Sequence, residues 1–262
     1  MIRALYTAAS GMNAQQTNID NVANNLANVN TSGYKKSRIE FADLVYQEVK
    51  APGTSASASS EVPTGIEIGL GTRTVATSRD FSAGNLRGTS APLDIAIQGD
   101  GFFQITQPNG TIAYTRNGSF HLNAQGAIVT SDGFQLDPAI TVPTTATSIT
   151  ISSDGIVSAV IAGQTAAQQL GTINIATFAN EGGLKPLGST MFAATSASGD
   201  PLTGTPGTDA RGTLQQGFVE DSNVSVVEEM VNMIIGQRAY EANSRVIKAA
   251  DEMLTQVNQL VR

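Results

Sequence analysis

The chain has 262 residues, enough for one large or two small domains, and 40% hydrophobic content can build a real core. Fifteen basic against 22 acidic residues give a formal charge of −7, which argues against nucleic acid or an acidic membrane surface as a partner. With no cysteine and a single histidine, disulfide, thiolate and multi-histidine zinc chemistry are excluded, and no apolar run reaches the roughly 18 residues that a membrane span needs.

In chain order, the first element is a heptad-spaced helix. Leu5, Met12, Ile19 and Leu26 recur every seven residues, and Ala8, Gln15, Val22 and Val29 follow three positions behind them. A helix over residues 3–30 would run about 42 Å and stop at Ser32-Gly33. Over residues 4–34 the only charged side chain is Asp20; the other positions carry amides, at Asn13, Asn18, Asn21, Asn24, Asn25, Asn28 and Asn30. Asparagine costs a helix roughly 0.5 kcal/mol relative to alanine, so the segment is expected to order only against a partner, with its amides bonded to neighbouring chains. The first eleven residues hold one basic residue and then turn amide-rich rather than apolar, so no cleaved secretory signal is expected.

Residues 34–49 are mixed and charged and read as a strand or short helix leaving this coil. Residues 51–65 have the composition of a flexible linker, or of an extended arm held by neighbouring subunits. Strand-like runs follow through Ile66, Ile68, Leu70 and Val75, then Leu93–Ile97 and Gly101–Ile105. Turn signals fall at Asn109-Gly110, Asn117-Gly118, Gln125-Gly126, Asp132-Gly133 and Asp154-Gly155, a spacing that predicts consecutive short antiparallel strands. A later strand pair is expected around Ile173–Ile175 and Met191-Phe192.

The last helix is predicted after Asp221-Ser222-Asn223, with Ser225 and Glu228 spaced as a capping box. It could reach about 57 Å. Ile235, Ala239, Ala242, Val246, Ala249, Met253, Gln256 and Leu260 form one 4-3 seam, and Ile247, Ala250, Leu254, Val257 and Val261 form another beside it. Two adjoining seams predict contact with more than one helix.

The predicted class is therefore α+β: N- and C-terminal helices pairing as a coiled coil, a central antiparallel all-β module, and a β-rich connecting domain. Residues 1–32 and 224–262 would make the helical domain. Residues 33–92 and 205–223 would make the connecting domain with an extended arm around 47–68, and 93–204 the outer β domain. The self-assembly interface is expected at Leu5, Met12, Ile19, Val22, Asn24, Asn25, Leu26, Asn28, Val29, Ile235, Arg238, Tyr240, Ala242, Val246, Ala249, Met253, Leu254 and Leu260.

Catalytic signals are weak. No Gly-x-Ser-x-Gly elbow is present, no lysine directly follows a glycine as a phosphate loop requires, and Gly65–Gly71 is not followed by a helical pattern. His121 sits in a strand-like segment. Asp94, Asp100, Asp132 and Asp154 could in principle converge for glycosidase chemistry. Asp132 and Asp154, however, precede glycine in turns, where aspartate is favoured for local hydrogen bonding alone. No catalytic, cofactor or metal residue is assigned. The competing reading, from a different class, is a carbohydrate-binding or hydrolytic β domain with oligomerising helices.

The terminal motifs carry a resemblance. Ala8–Met12 followed by Val22–Lys35 resembles the amino-terminal signature of bacterial flagellar rod and hook axial proteins. Glu220, Ser222–Val224, Glu228–Met230, Met233-Ile234 and Gln237–Ser244 resemble that family's last helix, and Leu93–Phe103 and Tyr114–Phe120 match its β module. Asp43–Gln47, Pro52-Gly53 and Pro63–Gly69 are similar to the stretch that sets distal-rod members apart from hook members, with a proximal-rod relative of similar length as the nearest alternative. Tyr34 stands where members often carry phenylalanine. The resemblance implies a helical homopolymer in the periplasmic rod that transmits torque and conducts exported subunits. Its partners would be proximal-rod proteins, the hook protein, bushing-ring proteins of the outer membrane and peptidoglycan, and the flagellar export apparatus, with neither nucleic acid nor membrane insertion.

Overall fold

The computed structural model describes residues 2–52, 55–57, 60–61, 64–164 and 166–260. Part of the expected arm or linker, residues 53, 54, 58, 59, 62 and 63, lies outside the described residues, as do the side chain of Leu260 and all of Val261. The described chain has an N-terminal helix, a C-terminal helix and an antiparallel β-rich region between them in sequence, and it divides into two compact units.

The first unit comprises residues 1–27, 37–78 and 225–262. Helix α1 spans Ile2–Ala27 and helix α2 spans Val226–Leu260. Ser225 caps α2: its Oγ accepts from Glu228 N at 3.5 Å and its carbonyl from Glu229 N at 3.0 Å. The two helices pack antiparallel, as three contacts show. A Cβ on Gly11 would lie 2.8 Å from Asn243 Nδ2, and one on Gly236 would lie 3.0 Å from Ile19 Cγ1. Asn25 Nδ2 donates to Glu229 Oε2 at 3.4 Å, so numbers climb along α1 as they fall along α2. The partner surface that the amide-rich helix needs is therefore supplied by the other end of the same chain.

Between the helices in sequence, strand Ser37–Asp43 pairs with Thr72–Arg79. Beyond it, Tyr46–Lys50 pairs with Ile66–Gly69 in the register Gln47 to Ile68, and Ser55–Ser57 with Ser60–Glu61. All five residues of Tyr46–Lys50 are exposed, so this two-stranded ribbon shows solvent both of its faces.

The second unit comprises residues 28–36 and 79–224. Its nine-stranded antiparallel sheet runs, edge to edge, through Phe120–Leu122, Ile128–Thr130, Gln135–Leu136, Phe102–Thr106, Ile112–Thr115, Met191–Ala193 and Lys185–Gly188; Ile175–Thr177 joins Phe102-Phe103 to Leu202–Gly204. A three-stranded sheet is formed by Ala146–Ile151, Ile156–Ile161 and Ala167–Thr172. Ile95, Ile97, Phe103, Phe120, Ile128, Leu136, Val157, Ile173 and Ile175 form the main core. A second cluster stacks Phe81, Phe102, Phe178 and Phe192 edge to face, with centroids 5.3–6.2 Å apart.

Several expectations change. α1 stops at Ala27 rather than 30: Thr31 N donates to Asn28 O at 3.1 Å in a turn, and the left-handed residue is Gly33, at φ +69°. Four of the five predicted turns are hairpin turns with a left-handed glycine, at 110, 126, 133 and 155. Asn117-Gly118 is not one. The strands on its two sides do not pair with each other, and Gly118 is there because a Cβ would lie 1.6 Å from the Ile95 carbonyl oxygen. The predicted pairing of the 173–175 and 191–192 segments is also replaced: Met191 and Phe192 pair with Thr115 and Tyr114, and Ile175 with Phe103 and Gly204.

Candidate assembly surface and a buried ion cluster

Helix α2 carries two adjoining stripes. One contains buried Glu229, Gly236 and Ala250 with half-buried Met233, Asn243 and Ile247 between them and Leu254 beyond, at spacings of three, four and seven, and the Gly11, Ile19 and Asn25 contacts of α1 fall on it. The other holds Val227, Val231, Ile234, Ile235, Val246, Met253 and Val257, all exposed large apolar side chains; Ile235 is 61% exposed and Val227 73%. An apolar stripe this long on a helix is unusual in water.

The residues expected at the assembly interface divide between these surroundings. On α1, Val22 and Asn25 are buried, Leu5, Met12, Ile19 and Leu26 are half-buried, and Asn24 is exposed; Asn28 and Val29, half-buried, fall in the turn after the helix. On α2, Leu254 is half-buried, whereas Ile235, Arg238, Tyr240, Ala242, Val246, Ala249 and Met253 are exposed. Arg238 pairs with Glu241 at 3.0 Å. The amides were expected to bond to neighbouring chains. Asn21 and Asn25 instead bond to Ser37 of their own chain, because strand 37–43 passes α1 there.

The ribbon adds further exposed apolar surface at Val45, Tyr46, Val49, Ile66 and Ile68. The Tyr46 hydroxyl is pushed above its ordinary range, first by its hydrogen bond to Asp43. An apolar groove of about 560 Å³ in this unit is lined by Ala4, Thr7, Ala8, Ile68, Asn243 and Val246 among others.

The second unit holds a cluster that periodicity did not reveal. Lys35 Nζ lies 2.6 Å from Glu220 Oε1 and donates to Ser82 O at 2.6 Å; Gly84 N donates to the same carboxylate oxygen at 2.8 Å. Arg116 donates through one terminal nitrogen to the carbonyls of Gly99 and Gly101, at 2.8 and 2.7 Å. Its Nε lies 3.0 Å from Glu220 Oε2 with the N–H not aimed at the oxygen, so this contact is an ion pair rather than a hydrogen bond. All three side chains are almost wholly buried. Burial, with the Arg116 charge added, pulls Lys35 below the usual lysine range against the opposing pull of Glu220. Burial, then the Asp100 charge, raises Glu181 nearby. A carboxylate held between two buried cations closes the strand ending at Glu220 onto the 28–36 segment. No local sequence signal pointed to it: Arg116 lies in the mostly polar stretch Tyr114–Phe120, and Glu220 is followed directly by Asp221.

A cleft of about 410 Å³ in the same unit is lined by Tyr34, Arg79, Asn117, Asp132, Thr190 and Phe192 among others. Arg79 covers the ring of Phe192, its Cζ 5.6 Å from the centroid. Of the four aspartates considered for glycosidase chemistry, Asp94 is buried and Asp100, Asp132 and Asp154 are exposed. Among the described residues no group of three or more histidines, cysteines or carboxylates is placed to hold a metal ion, and no helix is long and apolar enough to cross a membrane.

Long helices with an unpartnered apolar stripe, joined to a β unit and an exposed ribbon, define a subunit-forming architecture, and the family matches agree in their positions. Residues 5–35 match the flagella basal body rod protein family, 96–159 the flagellar hook protein FlgE/F/G D1 domain, and 215–260 the flagellar basal body rod FlgEFG protein C-terminal family. The chain is 48% identical over 264 residues to flagellar basal-body rod protein FlgG of Borreliella burgdorferi, covering all of both chains. With FlgG of Bacillus subtilis it shares 41% identity over 268 residues, again covering both in full. The flagellar hook-basal body complex protein FlhP of that organism shares 30% over 275 residues, 99% of this chain and all of FlhP. The chain belongs to the FlgG family of flagellar basal-body rod proteins, structural subunits of the distal rod.

Proposed function

We propose that the chain polymerises helically into a rigid hollow shaft in the periplasm that transmits torque from motor to hook and conducts exported subunits. The observation that carries this is the exposed stripe of α2 from Val227 to Val257, which adjoins the stripe that meets α1. Burying such side chains is worth about 1.5–3 kcal/mol each, so a neighbouring copy has a strong drive to cover it. In this reading α1 and α2 pair as a coiled coil whose second seam is completed by other copies. The interface includes Leu5, Met12, Ile19, Val22, Asn24, Asn25, Leu26, Asn28 and Val29 on one side and Ile235, Arg238, Tyr240, Ala242, Val246, Ala249, Met253, Leu254 and Leu260 on the other.

The helices (residues 1–32 and 224–262) would line the inner tube. The connecting domain (33–92 and 205–223, with the arm near 47–68) would surround them, and 93–204 would form the outside. The relatives' names and the family support contacts with other rod proteins and hook protein; contacts with proximal-rod proteins, ring proteins and the flagellar export apparatus, and a non-enzymatic role, follow from the proposed shaft role. Replacing Ile235 and Val246 with glutamate and following the full chain by sedimentation and electron microscopy tests the reading. Loss of polymer with an unchanged monomer fold is expected, and polymer formed as readily as by the parent overturns it.

A further inference from the structure

Ser37, the first residue of the strand leading to the exposed ribbon, is gripped by two asparagines one turn apart on α1. Asn25 Nδ2 donates to Ser37 O at 2.9 Å and Asn25 Oδ1 accepts from Ser37 N at 3.0 Å, so one side-chain amide satisfies both backbone groups of a single residue. Asn21 Nδ2 donates to the same carbonyl at 2.7 Å, and the Ser37 hydroxyl donates to Asn21 Oδ1 in a short contact. Positions four apart share a helix face, which is why both amides reach one residue. Asn25 is 2% exposed and Ser37 8%.

Only one orientation of the Asn25 amide works, since Ser37 N needs an acceptor and Ser37 O a donor. The second N–H of that amide faces Glu229 Oε2 at 3.4 Å, in the first turn of α2, and Glu229 is itself buried. The ribbon's base is held to α1 at a second point, where Thr72 N donates to Ser10 Oγ at 3.3 Å and Leu44 N donates to Gly71 O at 2.9 Å, so Ser37 and Thr72 are two points that together fix a line across α1.

We propose that Asn21 and Asn25 are positioning residues that, pulling Ser37 in while Ser10 holds the far end, set the angle at which the ribbon strands Tyr46–Lys50 and Ile66–Gly69 leave α1, so that loosening the clamp lets them pivot about Ser10, and that Glu229 acts through Asn25 by holding its amide in the productive orientation. The clamp thereby aims the ribbon's apolar side chains in one direction. The inference uses contacts within one chain and stands or falls apart from polymerisation.

Because the chain has no cysteine, cysteines introduced at Ala23 on α1 and Glu48 on the ribbon, both exposed, take spin labels there alone. Pulsed electron–electron resonance on the full chain then reads the distance distribution between helix and ribbon. The parent should give one narrow distribution. Asn25→Asp turns an acceptor toward Ser37 O and Glu229, and should broaden it at least twofold. Glu229→Leu should broaden it as well, whereas Glu229→Gln, which keeps an acceptor, should retain the parental width. A broad parental distribution, or Asn25→Asp as narrow as the parent, overturns the proposal. If Asn25→Asp loses helix by circular dichroism, the Glu229 pair decides: broadening in Leu alone upholds the orienting role, and equal widths in Leu and Gln overturn it.

Discussion

Lys35 and Glu220 stand 185 positions apart in sequence, yet the ammonium nitrogen of one lies 2.6 Å from a carboxylate oxygen of the other, with both side chains 1% exposed. The pair joins the segment that follows the first helix to the segment that precedes the second. Its carboxylate also faces Arg116, so the cluster carries one negative and two positive charges away from water. Breaking a buried ion pair by removing one partner typically costs about 3–5 kcal/mol, because an uncompensated charge remains.

Glu220→Gln therefore leaves Lys35 and Arg116 facing each other without a counter-charge and is expected to lower stability by about 3–5 kcal/mol. Lys35→Met leaves Arg116 to balance Glu220, while Gly84 N still donates to the carboxylate oxygen and Asn223 Nδ2 to Ser82 O, so it should cost less, roughly 1–3 kcal/mol for the lost charge-assisted hydrogen bonds. Urea unfolding of the full chain and both variants checks the order. Equal costs would show that the charge balance does not matter.

Two glycines, one at a close backbone approach and one in a hairpin turn, should respond differently to alanine. At Gly118 the new methyl would sit 1.6 Å from the Ile95 carbonyl oxygen, and backbone cannot yield as a side-chain tip can. The expected loss is roughly 3 kcal/mol. Gly110, at φ +78° with nothing within 4 Å, meets only the left-handed penalty of about 1–2 kcal/mol. Thermal unfolding followed through the β unit separates the two.

Two adjoining rows of α2 give a third contrast. Ala250 is 1% exposed and Val246 is 47% exposed, although they lie one turn apart. Ala250→Glu puts a charge into the face that meets α1 and should cost roughly 3 kcal/mol, seen as rapid proteolysis of both helices. Val246→Glu should shift monomer stability by no more than about 0.5 kcal/mol.

Glu181 gives a pH dependence. Its carboxyl is raised, first by burial and then by Asp100, above the ordinary glutamate value of 4.5. The folded chain thus holds a proton there that the unfolded chain has released. The resulting stabilisation is fully present below pH 4.5 and is lost as pH rises through the raised folded value. Glu181→Gln should flatten the stability–pH curve in that window, measured by urea titrations at successive pH values. A parental slope unchanged by the substitution would exclude Glu181 as its source.

The helices, the β region between them and most of its hairpins could be read from residue order, because heptad spacing and Asn-Gly or Asp-Gly turns are local signals. The exit of α1 was misplaced by a few residues because the turn at 28–33 is set by local backbone bonds rather than by the heptad, which continues through Val29. Asn117-Gly118 failed as a turn for a related reason: the same dipeptide that favours a hairpin also permits a close backbone approach, and only the neighbouring strand distinguishes them.

What residue order fixed was periodicity: which side chains lie on a common stripe, where the chain turns, and that α2 has two apolar rows. It did not fix which row of α2 meets α1, that Asn21 and Asn25 turn inward to Ser37, or that Lys35, Arg116 and Glu220 converge, with 81 and 104 positions between successive members. Those depend on chain-distant surfaces meeting. Buried charges and amides settle only where the whole fold brings opposite charges and unpaired backbone groups within hydrogen-bond reach.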